Sequence, residues 1–226
     1  RFRDWFVTDK TLFRDFIKAG FPMLFSGASW GLAMFAQSAI TGRLGSDAIA
    51  ASSIAGAVYS VLSVIYASSA NASSVIIAKT VGEGDVGKVK NAAKLFQLVF
   101  LALGLFSCTL SLATKNAVLS MYDLTAGAAG LANTFLTIQS FTVIGSSYQM
   151  PCLCGIVAGG GQTDFVFKND LIFMWGMVIP VSILSAFVFK WPVPVTFFCL
   201  KLDQIVKCTV AAVKTNRFNW IRTLTR

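Results

Sequence analysis

Few side chains in this sequence could do ionic chemistry away from the ends of its apolar segments. There is no histidine, which removes the commonest metal ligand and general base. Asp170 stands where an uncharged segment, residues 171–189, begins. Its carboxylate predicts either a helix-start residue favoured by the helix dipole or a role in ion or proton coupling.

Three further charges fall inside the last apolar segment, at Lys201, Asp203 and Lys207. Asp203 and Lys207 are four residues apart, so on a helix they lie on one face and can pair. Lys201 lies on a different side of the same helix. The pattern favours a mutually neutralised, structural polar face packed against other helices, with a transport role as the alternative.

Uncharged polar and aromatic residues recur within the other apolar segments. Together they could line a water-filled cavity, with Trp30 and Tyr148 as aromatic surfaces for a flat or cationic ligand. The alternative for each of them is hydrogen bonding between helices. The candidate cavity residues are Ser26, Trp30, Gln37, Asn71, Gln139, Ser147 and Tyr148.

No pattern typical of an enzyme is present in the sequence. Without histidine, and with few internal acids, there is no nucleophile–base–acid set. Gly82, Gly84 and Gly87 are not followed by the Gly-Lys-Ser/Thr of a phosphate loop. The five cysteines lie in apolar segments, and Cys152 and Cys154 are too close for a Cys-x-x-Cys motif. We therefore predict no catalytic residues, no metal and no bound cofactor.

Composition indicates an integral membrane protein, with the lipid bilayer as its surroundings. Of 226 residues, 55% are hydrophobic and 13% charged, too few charges to cover a soluble domain of this size. Lys and Arg outnumber Asp and Glu by 19 to 10. These bases stand between apolar runs, which indicates membrane topology and excludes a nucleic-acid-binding face.

The uncharged runs predict an all-α protein with six transmembrane helices. A span needs roughly 20 apolar residues. The predicted domains are an amphipathic lead-in on the membrane surface (1–18), a six-helix lobe (19–213) and a basic tail (214–226). The predicted spans are residues 19–42, 48–78, 95–114, 131–157, 171–189 and 195–213.

Charge asymmetry predicts that both termini are cytoplasmic. With six spans, fourteen bases fall on the side of the termini and three, Arg43, Lys115 and Lys190, on the other. This arrangement puts the glycine run 159–161 on the cytoplasmic side, as a hinge or tight turn between the fourth and fifth spans. In the first turn we expect Ser46 or Asp47 to cap the second helix.

Several short motifs, in order along the chain, resemble the C-terminal half of the multidrug and toxic compound extrusion (MATE) family. They are Gly20-Phe21-Pro22, Gly42-Arg43-Leu44-Gly45, Asp47-Ala48-Ile49-Ala50-Ala51, Val81-Gly82-Glu83-Gly84-Asp85, the glycine-rich stretch 155–161, and the stretch 170–180. Each motif alone is weak, whereas their order and spacing are fairly specific.

The resemblance implies the second six-helix lobe of a twelve-helix transporter in a prokaryotic plasma membrane. Such a protein would export cationic or amphipathic drugs and toxins by alternating access, driven by Na⁺ or H⁺. Its partner would be an N-terminal six-helix lobe of the same full-length chain, and because this chain begins with Arg1 we expect a fragment. The alternatives are a lipid-linked sugar flippase and a non-transporting half-size scaffold that forms a homodimer.

The chain departs from the family pattern at positions that carry charge in other members. Ala158 and Gln162 stand where Arg and Asp often flank the glycines. Trp30 and Ser147 stand where some members carry acids in the seventh and tenth helices. If ions are coupled here, the resemblance implies an acid in the first lobe or a contribution from Asp170.

Overall fold

The computed structural model describes the backbone of residues 10–221 and the side chains of Phe25 and residues 27–221. This part of the chain is a bundle of helices joined by short turns, and no strand occurs in it. The chain up to residue 150 contains four long helices. They are α1 (Lys10–Gly42), α2 (Ser46–Gly82), α3 (Val86–Ser120) and α4 (Ala126–Met150).

After residue 150 the helices are interrupted by wider, π-helical turns. α4 continues into π1 (Pro151–Val157), and α7 and α8 form the sixth segment with a break at Lys201. The fifth segment alternates between the two helix types. Its parts, with the sixth segment, are α5 (Thr163–Phe173), π2 (Met174–Val178), α6 (Ile179–Ile183), π3 (Leu184–Val188), α7 (Val193–Leu200) and α8 (Leu202–Asn216).

The prediction of an all-α bundle of six segments is confirmed. Within the described residues, three segments are long and apolar enough by themselves to cross a membrane: Ser46–Gly82, Val86–Ser120 and Thr163–Val188. The predicted spans were shorter than the helices that contain them. Hydropathy marks only the part of a helix inside hydrocarbon, and a helix can continue past it into the headgroup region.

Helices α1 and α3 begin before the predicted first and third spans. α3 begins at Val86, so Lys88, Lys90 and Lys94, which precede the predicted span, belong to the same helix. Residues 10–18 of the predicted lead-in are likewise continuous with α1. Residues 1–9 of the lead-in lie outside the described residues.

Two helix starts carry the side-chain caps that their residue types favour. Asp85 accepts a hydrogen bond from the Lys88 backbone N–H at 3.0 Å, and Thr125 accepts one from Ala128 at 3.2 Å. The expected cap of α2 was wrong. Gly45 occupies that position without a side-chain bond, and Asp47 instead accepts from the Thr125 hydroxyl at 3.1 Å.

α4 lies at the centre of the lobe, against α2, α3 and α8. Small residues allow its backbone to come close to its neighbours: Gly104 faces Ile144, and Gly145 faces the Gln204 carbonyl. Buried hydroxyls add a direct bond between α3 and α4, with Ser111 and Ser140 oxygens 2.7 Å apart.

The start of the predicted basic tail is folded into the lobe. α8 ends at Asn216, and the chain then turns so that Trp220 is fully buried and donates to the Thr215 carbonyl at 2.9 Å. Gln162 of the glycine turn donates to the Asn219 carbonyl at 3.0 Å. These contacts tie the end of the described chain to the turn between the fourth and fifth segments.

Candidate functional site

A cavity of about 380 Å³ opens between α1, α2, the junction of α4 with π1, the junction of α5 with π2, and α8. Its apolar lining includes Leu153 and Met174. Its polar lining includes Ser29, Gln149 and three ionic groups, Asp170, Asp203 and Lys207.

The three ionic groups form one connected cluster. Lys207 Nζ lies 2.9 Å from Asp170 Oδ1 on α5 and 3.7 Å from Asp203 Oδ2 on its own helix. The Lys207 side chain is 6% exposed and that of Asp203 is 15% exposed, whereas that of Asp170 is 42% exposed. Lys207 is therefore enclosed, and Asp170 presents the more accessible carboxylate to the cavity.

The position of Asp170 removes its helix-start interpretation. α5 begins at Thr163, so Asp170 lies about two turns inside a continuous helix. The dipole effect of a helix end falls off within its first turn, where Asp164 stands instead. The contact of Asp170 with Lys207 now accounts for its place in the lobe.

α8 positions the other two charges by its helical period. Gln204, Lys207, Ala211 and Thr215 form its buried face, at spacings of three and four residues. Asp203 precedes Lys207 by four residues, and the pair predicted from that spacing is present. The contact to α5 was not predicted, because spacing within one helix carries no information about a neighbouring helix.

Four elements contribute aromatic side chains to the cavity lining. Trp30 comes from α1, Tyr59 from α2, Phe167 from α5 and Trp175 from π2. The Trp175 indole N–H donates to Ser29 Oγ at 2.9 Å, so α1 and π2 are joined beside the cavity. Trp175 follows Leu171, another lining residue, by four residues, as the helical period favours.

Among the predicted cavity residues whose side chains are described, only Trp30 lines the cavity. Gln37 donates to the sulfur of Met174, a lining residue, at 3.3 Å. Tyr148 does not line the cavity, since its hydroxyl donates to Gln97 at 2.8 Å towards α3. Asn71 is exposed on α2 away from the cavity. The side chain of Ser26 lies outside the described residues.

Gln139 and Ser147 do not line the cavity either, and both are buried at 1% exposure inside the lobe. Gln139 donates to the Ala55 carbonyl at 2.8 Å and joins α4 to α2, which is the interhelical bonding considered as its alternative. Lys201 does not line the cavity, and its charge interacts with Asp203. Its ammonium lies 5.0 Å from the Tyr59 ring centre and 5.7 Å from that of Phe197.

Several lining residues were not among the predicted ones. Ser29, Gln149 and Trp175 are polar or aromatic residues of apolar segments, but many similar residues face elsewhere, so type alone could not select them. No feature of the sequence around Tyr59 indicated that this residue lines the cavity. The combination that defines the site, two acids and one base from two helices, appears only once α5 and α8 are placed side by side.

The formal charges of the cavity lining are two carboxylates, Asp170 and Asp203, and one ammonium, Lys207. Lys201, which is not in the lining, adds a positive charge that interacts with Asp203. Asp170 is the more exposed carboxylate, and an accessible carboxylate together with aromatic rings favours an organic cation. The cavity is therefore suited to a positive charge attached to an apolar body.

Comparisons with known proteins show the family and the fold of the chain. A family model described as MatE matches residues 22–187. One solved structure, a MOP superfamily transporter from Pyrococcus furiosus described by the reverse polarity of its binding pocket, is similar with a TM-score of 0.80 and 18% identity. The similarity covers 90% of this chain and 45% of that one.

A second solved structure is the outward-facing conformation of a multidrug resistance MATE family transporter of the MOP superfamily. It also has a TM-score of 0.80 and 18% identity, over 90% of this chain and 46% of that chain. At this identity the likeness shows the fold, and the chain spans slightly less than half the length of both transporters. A search among curated proteins found no match.

Proposed function

Because the chain belongs to the MatE family of membrane transporters, we propose that the full-length protein is an antiporter that exports cationic or amphipathic drugs and toxins. Export would be driven by Na⁺ or H⁺ entering the cell. The chain would supply one six-helix lobe, and a second, N-terminal lobe of the same protein would complete the transporter. This proposal is supported by coverage of about half of each solved transporter.

The observation that carries the proposal is the cavity that combines an accessible carboxylate, Asp170, with aromatic side chains in its lining. Its volume of about 380 Å³ falls in the range of small-molecule sites. Trp30 and Trp175 offer flat apolar surfaces, while Asp170 offers an accessible carboxylate. An amphipathic organic cation needs both features, since its charge must be compensated while its rings leave water.

Alternating access explains how one site could serve both sides of the membrane. One lobe rocks against the other, and the cavity opens in turn to each side. Asp170 is our candidate for ion coupling: a cation or proton that binds there neutralises its carboxylate, so the ion and the substrate compete. The placement in a prokaryotic plasma membrane, with cytoplasmic termini, belongs to the same proposal.

The alternative functions have weaker support. A lipid-linked sugar flippase would need several bases to hold phosphates, whereas this cavity has one ammonium that already contacts two carboxylates. No observation on the lobe favours a non-transporting homodimer.

The test is accumulation of fluorescent cationic dyes in cells that express the full-length protein. We expect lower accumulation than in cells without it. Asp170→Asn should reduce ion-driven export by about 5- to 150-fold, the range that corresponds to usual coupling energies. Asp164→Asn, an exposed acid on the same helix and outside the cavity, should export like the wild type.

Two results would count against the proposal, provided that all variants reach the membrane in equal amounts. Unchanged accumulation across a broad panel of cationic dyes would remove drug export. Normal ion-driven transport by Asp170→Asn would leave Asp170 with a structural role only.

A further inference from the structure

Lys207 lies between two carboxylates of the cavity. Its ammonium is 2.9 Å from Asp170 and 3.7 Å from Asp203, and its side chain is almost fully enclosed. We propose that Lys207 is a built-in cation of this lobe, so that Asp170 does not bind Na⁺ and instead exchanges a proton for a substrate ammonium. This inference rests on the proposed function and names its coupling ion.

The chemistry of the site disfavours a metal cation. Hard cations such as Na⁺ bind in shells of several oxygen ligands. Here the two carboxylates face an ammonium that would repel a second cation at ion-pair distance, in surroundings of low polarity.

The charges near Asp170 are those of Lys207, Asp203 and Lys201. Asp203 lies 3.7 Å from Lys207 and also interacts with Lys201, whose ammonium faces Tyr59 and Phe197, so its charge is compensated without Asp170. The other titratable groups of the lining are Cys154 from π1 and Tyr59 from α2. A sodium ion would need a place beside these ammonium groups, whereas a proton brings its positive charge directly to an exposed oxygen of Asp170.

Asp170 is the group that exchanges this charge. It is the more exposed carboxylate, so a proton from water or an ammonium from the substrate reaches it first. On protonation the carboxylate becomes a neutral carboxyl, and Asp203 remains to neutralise Lys207. On substrate binding the proton returns to water, so each excludes the other, as antiport requires.

Binding of radioactive sodium to the purified full-length protein tests the inference without transport. Wild type and Asp170→Asn should bind equal amounts, because Lys207 already keeps Na⁺ from Asp170. Lys207→Met should bind more than wild type, and Lys207→Met/Asp170→Asn should lose that gain. Lys168→Met, an exposed lysine two residues from Asp170, should match wild type.

The first comparison needs no change at Lys207, so it stands even if that variant does not fold. Less sodium bound by Asp170→Asn than by wild type overturns the inference. A folded Lys207→Met protein that gains no sodium binding overturns it as well. Lys207→Arg keeps the positive charge and should show no gain, so that loss of charge can be separated from a change of side chain.

Dye export in proteoliposomes separates this inference from the proposed function. We expect a pH gradient to drive export, and a Na⁺ gradient at equal pH to give none that depends on Asp170. If a Na⁺ gradient drives export that Asp170→Asn abolishes, Lys207 is not a substitute cation, although drug export stands. If no gradient moves any dye, drug export fails, and the sodium-binding comparison still decides the role of Lys207.

Discussion

The environment of Asp170 is set by a residue that is 37 positions away in sequence, Lys207 on α8. The same residue type has a different role at Asp85, whose side chain is partly exposed at the start of α3. There the backbone N–H of Lys88 donates to the carboxylate and holds the pKa of Asp85 below its usual value, with the Lys88 ammonium adding a smaller effect. A carboxylate thus acts as a local cap in one place and as part of a membrane site in another.

The cap at Asp85 predicts a pH dependence of the first turn of α3. A lowered pKa in the folded state means that the cap stabilises the helix above the unfolded pKa, about 3.9, and is lost as pH falls through the folded value. We expect protection of the amides at Gly87 and Lys88 from hydrogen exchange, corrected for intrinsic rates, to fall on acidification.

The control for this cap is Asp85→Asn, whose amide oxygen still accepts the bond but does not titrate in this range. Protection of these amides in that variant should not depend on protonation of residue 85. Equal loss of protection at acid pH in wild type and Asp85→Asn would show that the cap is not the cause.

At the scale of elements, the three glycines of the turn between π1 and α5 do different things. Only Gly161 has a left-handed backbone, with φ of 96°. Gly159 lies against the Ser74 backbone, and a side chain on Gly160 would meet the ring of Trp220. The run was predicted as a hinge or tight turn; two of its glycines serve close packing, which supports a fixed turn.

Gly160→Ala should destabilise the lobe, because the added methyl group overlaps Trp220. Overpacking of this kind costs about 1–3 kcal/mol. The measurement is the thermal unfolding temperature of the full-length protein in detergent, which should fall. Gly176→Ala, within π2 and with open space around it, is the matched control and should not lower it.

If overlap with Trp220 is the cause, the cost of Gly160→Ala should shrink in a Trp220→Ala background, since neighbouring changes are not additive. An equal cost in both backgrounds would assign the effect to the backbone of the turn.

For the whole molecule, contacts between turns place them at two opposite ends of the bundle. The α1–α2 and α3–α4 turns meet where Thr125 bonds Asp47. The glycine turn and the chain after α8 meet at the other end, where Gln162 bonds Asn219 and the Lys90 ammonium lies 5.4 Å from the Phe218 ring centre. The fourteen-to-three asymmetry of bases predicts that the second end is cytoplasmic.

Alkaline phosphatase fusions test this orientation, because the enzyme is active only outside the cytoplasm. Fusions after Tyr122 and after Lys190 should be active, and fusions after Glu83 and after Gln162 should be inactive. The two sites in each pair control for each other. Cytoplasmic behaviour at Tyr122 and Lys190 would reverse the topology.

The sequence by itself determined the class of the protein, the number of its helical segments and the family that it resembles. These follow from local properties, since the length and polarity of each segment decide whether it can cross a bilayer. Only the tertiary structure decided which polar residues meet. It joined Asp170 to Lys207, buried Gln139 and Ser147, and folded Trp220 onto Gly160. The physical reason is that the rotation and neighbours of a helix depend on packing between distant segments, which hydropathy along one segment does not contain.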